Sequence, residues 1–307
     1  MSSAEINELS GFSRALTALV EKAAPGVVTV KSGAYRTSSG IKLRDNLIAI
    51  AGHTLRREER VAVQAADGSE TQATVLGREA GLDLAVLKAE GLGGSVLEIA
   101  EPGSLQTGAL ALVVGLTSDV GATASLGILG AVGPGRKTWR GGAVDQFLRL
   151  DVNLYPSQAG AAVVTAEGEL IGMATPALSR HSNMAIPAAT IDRIARELRE
   201  QGRIRRGYLG IGVQPVSLPE GLRSTLPDVK NRGLILLSVE PDSPAEAAGL
   251  QLGDILVLFD GRGMSDIDDL HEALRGEAVG KTVSAVLLRG GKPFEAQLAV
   301  RERRSER

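Results

Sequence analysis

From residue 27 to residue 187 the chain is a succession of short apolar runs broken by glycine, and this pattern constrains the fold more than any other feature. Leu47-Ile48-Ala49-Ile50, Val61-Ala62-Val63, Leu110-Ala111-Leu112-Val113-Val114 and Leu170-Ile171-Gly172-Met173 are examples. Runs this short suit strands better than helices, and Asp67-Gly68 is a hairpin signal between two of them. The 38 glycines, set against one Trp, three Tyr and four Phe, add many turns and thin aromatic packing. Many short strands with frequent turns predict an all-β barrel or sandwich.

Helical signals flank this region. Ile6, Leu9, Phe12, Leu16, Leu19 and Val20 recur at helical spacing over residues 4–23, which predicts an amphipathic helix; packing on its own domain is the favoured expectation, with an oligomer contact as the alternative. Ala188–Gly202 is the clearest helix, with Ile191, Ile194, Ala195 and Leu198 on one face, Pro187 before it and Gly202 at its end. The basic stretch Arg203-Ile204-Arg205-Arg206 then leads into a second unit. Its strands are expected near 208–216, 233–239, 254–260, 281–288 and 294–300, with helices near 244–248 and 266–275. The expected organisation is a helical segment over 1–26, a first domain over 27–202, a second over 203–302, and a mixed-charge tail over 303–307.

Composition removes several classes of function. There is no cysteine, so disulfides, thiol catalysis and cysteine metal sites are excluded. The three histidines, at 53, 181 and 271, are too scattered for a histidine-rich metal cluster, and no metal or organic cofactor is implied. A net charge of −2 argues against nucleic acid as a partner. No apolar stretch is long enough to span a membrane. The glycine clusters lie between strands with no G-K-[ST] after them, so no phosphate loop is expected. The start, Met1-Ser2-Ser3-Ala4-Glu5-Ile6, lacks a basic and apolar leader. The expectation is a cytoplasmic protein as written, or a periplasmic one where a leader has been removed.

The chemistry-bearing residues follow the order His, Asp, nucleophile loop. His53 comes first, then Asp83 in Asp83-Leu84-Ala85-Val86-Leu87-Lys88, then the stretch from Asp151 to Ala161. The last resembles the nucleophile loop of trypsin-like serine proteases, D-x-x-x-x-P-G-N-S-G-G. Three blocks extend the resemblance to the HtrA (Deg) family of trypsin-like proteases with a C-terminal PDZ domain. One runs from Asp67-Gly68 through Gly77-Arg78 to the Asp83 block. The second is Asn183-Met184-Ala185-Ile186-Pro187 with Arg206-Gly207-Tyr208-Leu209-Gly210-Ile211. The third is Ser243-Pro244-Ala245-Glu246-Ala247-Ala248-Gly249-Leu250 followed by Gly253-Asp254-Ile255-Leu256.

The resemblance implies a mostly β protein, a chymotrypsin-like double β-barrel followed by one PDZ domain. His53 becomes the triad base and Asp83 its orienting carboxylate. It also implies a homotrimer built through the N-terminal part of the protease domain, here around Leu9–Val30. The departures are as informative. Ala159 stands where the nucleophile belongs, and a methyl group cannot attack a carbonyl. Ser157 replaces the glycine whose N–H, with that of Ala159, forms the oxyanion hole. That glycine holds a conformation awkward for a residue with a Cβ. Ala161 replaces a further glycine, and Ala51-Gly52-His53-Thr54 departs from T-N-x-H-V. Two origins for Ala159 stand open: a natural pseudoprotease, or a Ser→Ala substitution in an endopeptidase.

In the second unit, the resemblance makes Tyr208-Leu209-Gly210-Ile211 the carboxylate-binding loop of the PDZ domain. A C-terminal peptide would add as a strand beside Gly212-Val213-Gln214. Leu209, Ile211, Leu270 and Leu274 would line the pocket for its last residue. The expected partners are unfolded polypeptides or C-terminal peptides, in protein quality control.

Overall fold

In the computed structural model, residues 3–33, 36–55, 58–138, 142–179, 182–202, 207–223, 231–274 and 278–302 are described. They belong to two units, Met1–Ile204 and Arg205–Arg307. The basic linker residues Arg203–Arg206, His181 and the tail 303–307 lie outside the described residues.

The first unit opens with α1 (Ser3–Ala23) and then closes two six-stranded barrels. The first contains β1 (Val27–Ser32), β2 (Arg36–Lys42), β3 (Leu47–Ala51), β4 (Arg60–Ala65), β5 (Glu70–Glu79) and β6 (Leu84–Lys88), in the order β1-β2-β3-β6-β5-β4. The second contains β7 (Leu110–Thr117), β8 (Gly121–Lys137), β9 (Ala143–Asp151), β10 (Ala162–Val164), β11 (Leu170–Thr175) and β12 (Asn183–Pro187), in the order β10-β11-β12-β9-β8-β7. Closure pairs every strand and leaves no free edge. The mostly β fold and double barrel expected from the sequence are therefore present.

The period-2 geometry of strands explains why the apolar runs are unbroken. In β3, Ile48 and Ile50 face the interior of the first barrel, while Leu47, Ala49 and Ala51 face a second core between the barrels. β7 behaves alike: Ala111 and Val113 fill its own barrel, and Leu112, Val114 and Leu116 join the shared core. Each fully buried Leu or Ile contributes about 1.5–3 kcal/mol. Helix α2 (Ala188–Gln201) adds Ile191, Ile194, Ala195 and Leu198 to the shared core and ends at Gly202, whose φ is 68°. The expectation for α1 needs correction. Leu19 and Val20 pack on the shared core, but Ile6, Leu9 and Phe12 are 51%, 59% and 45% exposed. Only the C-terminal half of α1 packs on its own domain.

The second unit has a sheet ordered β14-β15-β16-β18-β19. Its strands are β14 (Ile211–Ser217), β15 (Arg232–Val239), β16 (Ile255–Phe259), β18 (Thr282–Arg289) and β19 (Lys292–Ala299). The short strand β13 (Gly207–Tyr208) pairs with β20 (Arg301–Glu302), and β17 (Arg262–Gly263) pairs with β16. Helices α3 (Glu220–Arg223), α4 (Pro244–Ala247) and α5 (Ile267–Ala273) complete it. The single strand expected over 208–216 is two strands. Gly210 sits at φ +76°, and the Leu209 and Gly210 carbonyls accept the N–H groups of Ala245 and Glu240 at 3.0 and 2.8 Å. The bond from Ala245 and the left-handed Gly210 mark the break after β13, while the bond from Glu240 extends the β14–β15 pairing by one residue. No helix among the described residues is long and apolar enough to cross a membrane.

Candidate functional site

His53 stands in a 3₁₀ turn (Gly52–Thr54) at the end of β3, and Asp83 follows a second one (Ala80–Leu82) before β6. Because β3 and β6 are paired neighbours, their ends bring the two residues together. Imidazole Nδ1 and the Asp83 carboxylate Oδ2 are 2.7 Å apart, and the His53 backbone N–H donates to Oδ1 at 2.8 Å. Thr175, at the end of β11, donates its hydroxyl to the same Oδ2 at 2.6 Å. The carboxylate is 2% exposed, yet it accepts three hydrogen bonds, which offset its desolvation. With Nδ1–H donated to Asp83, His53 presents Nε2 as a proton acceptor on a side chain that is 39% exposed.

Asp83 has φ 55°, a left-handed conformation that its turn enforces from both sides. Glu79 accepts the Gly81 N–H at 2.9 Å, and Thr138 donates to the Gly81 carbonyl at 2.5 Å. A Cβ on Gly81 would lie 2.5 Å from the Gly142 nitrogen, so the β8–β9 connection rests directly on the Asp83 turn.

The stretch carrying Ala159 forms a 3₁₀ turn over Pro156–Gln158. Ser157 is outside the positive-φ residues, so the turn accommodates its Cβ without left-handed strain. The Gln158 N–H donates to Tyr155 at 2.9 Å, and the Ala159 N–H donates to the Pro156 carbonyl at 3.3 Å. The Ser157 carbonyl accepts from the Ser39 hydroxyl at 3.0 Å. The donor of Ala159 is thus turned back into its own loop. Ala159 is 4% exposed and joins Ala51 in the shared core. Gly160 follows at φ +85°; a Cβ there would lie 2.2 Å from the Ser39 carbonyl oxygen and 3.2 Å from the Ala51 nitrogen. The loop therefore abuts the strand end that carries His53. Ala161 is fully buried, and its methyl belongs to the core of the second barrel.

In the second unit, Tyr208-Leu209-Gly210-Ile211 runs from β13 into the start of β14. The Tyr208 hydroxyl donates to Glu240 at 2.5 Å, and a Cβ on Gly210 would lie 2.2 Å from Cβ of Ser243. Leu209, Leu270 and Leu274 are 2%, 3% and 7% exposed and lie in one core cluster, with Ile211 partly buried against it. These four apolar side chains do converge, with their bulk already buried. His271 is exposed. Among the described residues, no group of three or more His, Cys, Asp or Glu is placed to hold a metal ion.

Comparison with known proteins agrees with both halves. Residues 38–173 match the trypsin-like peptidase domain, and residues 207–300 match the PDZ domain. The putative serine protease HhoB of Synechocystis sp. is 30% identical over 269 residues, covering 84% of this chain and 64% of that one. The periplasmic pH-dependent serine endoprotease DegQ of Escherichia coli K12 is 29% identical over 254 residues, covering 81% and 55%. The serine endoprotease from Yersinia pestis superposes with a TM-score of 0.74 at 28% identity, covering 93% of this chain and 97% of that one. The chain belongs to the HtrA family. It spans about half to two thirds of the length of the curated relatives it matches.

Within this HtrA chain, three polar residues around the site were missed by sequence reading. Thr175 lies 92 positions from Asp83, and a threonine at a strand end carries no local signal. Ser39 accepts the Leu116 N–H at 3.0 Å while donating to Ser157, and so ties the loop to both barrels. Gln158, 1% exposed, accepts from Ser125 at 3.0 Å and from the Tyr155 N–H at 3.1 Å. Gln158 is flanked by two residues already recognised as unusual, which is the one signal that could have exposed it.

Proposed function

We propose that this HtrA chain is peptidase-silent as written and acts by holding polypeptide through its PDZ unit, in protein quality control. The observation that carries the reading is a methyl group at Ala159 in the nucleophile position, beside a fully bonded His53–Asp83–Thr175 network. In this reading His53 is the triad base, Asp83 orients it, and the backbone of Ser157 and Ala159 supplies the oxyanion position. A base with no hydroxyl to deprotonate performs no acyl transfer. The working division is a protease-fold domain over 27–202 and a PDZ domain over 203–302. Tyr208–Ile211 receives the ligand's carboxylate, and Leu209, Ile211, Leu270 and Leu274 contact its last side chain.

Assembly through α1, as the trimer implied by the resemblance, is supported by the exposed Ile6, Leu9 and Phe12. The periplasm is the favoured compartment, following the relative DegQ. The test is binding of a C-terminal peptide with a free carboxylate and of its C-terminal amide to the full chain, by fluorescence anisotropy. The free acid is expected to bind and the amide to bind at least about tenfold more weakly, since the carboxylate's backbone donors lose a charged partner. Equal binding of the two would overturn the reading.

A further inference from the structure

Strand β14 is the terminal strand of its sheet, and it carries a proline in its middle, Pro215. Hydrogen bonds at both ends fix which way each backbone group points. The Gly210 carbonyl accepts from Glu240, and the Leu218 N–H donates to Asn231, so the even-numbered groups face β15. An independent bond agrees: the Leu236 N–H donates to Asp254 on the far side of β15, so Leu234, two residues away, also points away from β14. Leu234 is the register partner of Pro215. In an antiparallel pair, residues directly opposite either both bond each other or both point outward. Pro215 therefore points outward, together with Ile211, Val213 and Ser217, onto the edge that no strand covers among the described residues. This is the position where a strand tolerates proline, because the missing N–H costs no ladder bond.

The same edge is where an added peptide strand would pair. This inference rests on the peptide-binding reading of the PDZ unit. An antiparallel peptide whose carboxylate sits at Leu209–Ile211 meets Ile211 with its last residue. By the two-residue period, it meets Val213 with the residue two before the end and Pro215 with the residue four before it. At Pro215 there is no donor for the peptide carbonyl, and the ring, standing where the hydrogen would be, holds the peptide backbone off so that its N–H does not close onto the Pro215 carbonyl. We propose that Pro215 ends the backbone ladder, so that the site reads only the last four residues of a polypeptide. The ligand class is then a short free C-terminus presented by any upstream sequence. Such a reader is indifferent to how the upstream chain is built, provided it is extended at the tip.

The experiment uses the full chain and a library of random heptapeptides with free carboxyl ends. The strongest binder is resynthesised with its three upstream residues set to alanine, as the heptapeptide, as its last four residues alone, and as the heptapeptide amide. Shortening from seven residues to four is expected to weaken binding to the native chain by less than about twofold. In Pro215→Val the same shortening should weaken binding roughly threefold to tenfold, the value of one regained backbone hydrogen bond. The four-residue peptide should bind both chains equally, which also reports that the variant is folded; Pro215→Ala repeats the measurement with a smaller side chain. Equal length dependence in native and variant chains, or a loss of threefold or more on shortening in the native chain, would overturn the proposal. An amide that binds as well as the acid would instead overturn the carboxylate reading beneath it.

Discussion

Restoring the nucleophile with Ala159→Ser tests how much of the hydrolytic machinery survives in the 3₁₀ turn at 156–158. His53, Asp83 and Thr175 already hold the base in the right tautomer, so the new hydroxyl gains a proton acceptor. The oxyanion position is the weak part. To direct donors outward, the turn must give up the Ala159 N–H bond to Pro156, the Gln158 N–H bond to Tyr155 and the Ser39 bond to the Ser157 carbonyl. At about 0.5–1.5 kcal/mol net for each bond, opening costs on the order of 1.5–4.5 kcal/mol. That is roughly a 10-fold to 2000-fold reduction in rate, a span that includes the cost of losing one oxyanion donor. A glycine at 157 removes the penalty of about 1–2 kcal/mol that a Cβ imposes on left-handed backbone. Adding Ser157→Gly to Ala159→Ser should therefore raise kcat/KM about fivefold to thirtyfold. The assay is release of fluorescence from a quenched unfolded protein substrate. The rates of Ala159→Ser, Ala159→Ser with Ser157→Gly, and each combined with His53→Ala are compared. The reasoning is refuted if Ser157→Gly leaves the rate unchanged or lowers it, or if hydrolysis survives His53→Ala.

Further outcomes follow from single contacts. Gly160→Ala places a Cβ 2.2 Å from the Ser39 carbonyl at φ +85°, and should destabilise the first unit by about 2–4 kcal/mol in urea unfolding. Thr175→Val removes a donor from the buried Asp83 carboxylate and should cost about 1–3 kcal/mol on the same measurement. Asp254 is 1% exposed; burial acts to raise its pKa, but Arg289 and the Gln251 N–H outweigh this and hold it below the ordinary carboxylate value. Its contribution to the PDZ unit is therefore complete above the unfolded-state pKa and is lost as pH falls through the lower folded value. Acid titration of urea midpoints should show that loss in the native chain, and Asp254→Asn should flatten it.

The sequence disclosed those parts of the fold that repeat or terminate locally. The short apolar runs announced strands, and Gly202 announced the end of α2. The Asp67-Gly68 turn joins β4 to β5, with Gly68 at φ +84°. Family blocks then supplied the double barrel and PDZ order that periodicity alone left as barrel or sandwich. What stayed hidden depends on contacts between distant residues. Thr175 reaches Asp83 only because β11 and β6 come from different barrels facing one core. The turn at 156–158 is set by Ser39 and Ser125, both far away in sequence. The break at Leu209-Gly210 is fixed by the left-handed Gly210 and by the Leu209 carbonyl, which accepts from the distant Ala245. The half-packed α1 was equally invisible, because helical spacing marks an apolar face without saying what covers it.

The most direct test of peptidase silence is an overnight incubation of the full chain, as written, with a permanently unfolded protein, read by mass spectrometry for new peptide termini. The same incubation is run with His53→Ala. The account predicts no fragments above background from either protein, while Ala159→Ser yields fragments that disappear with His53→Ala. Fragments from the chain as written that vanish in His53→Ala would contradict it, since hydrolysis would then proceed through this site without a hydroxyl at position 159.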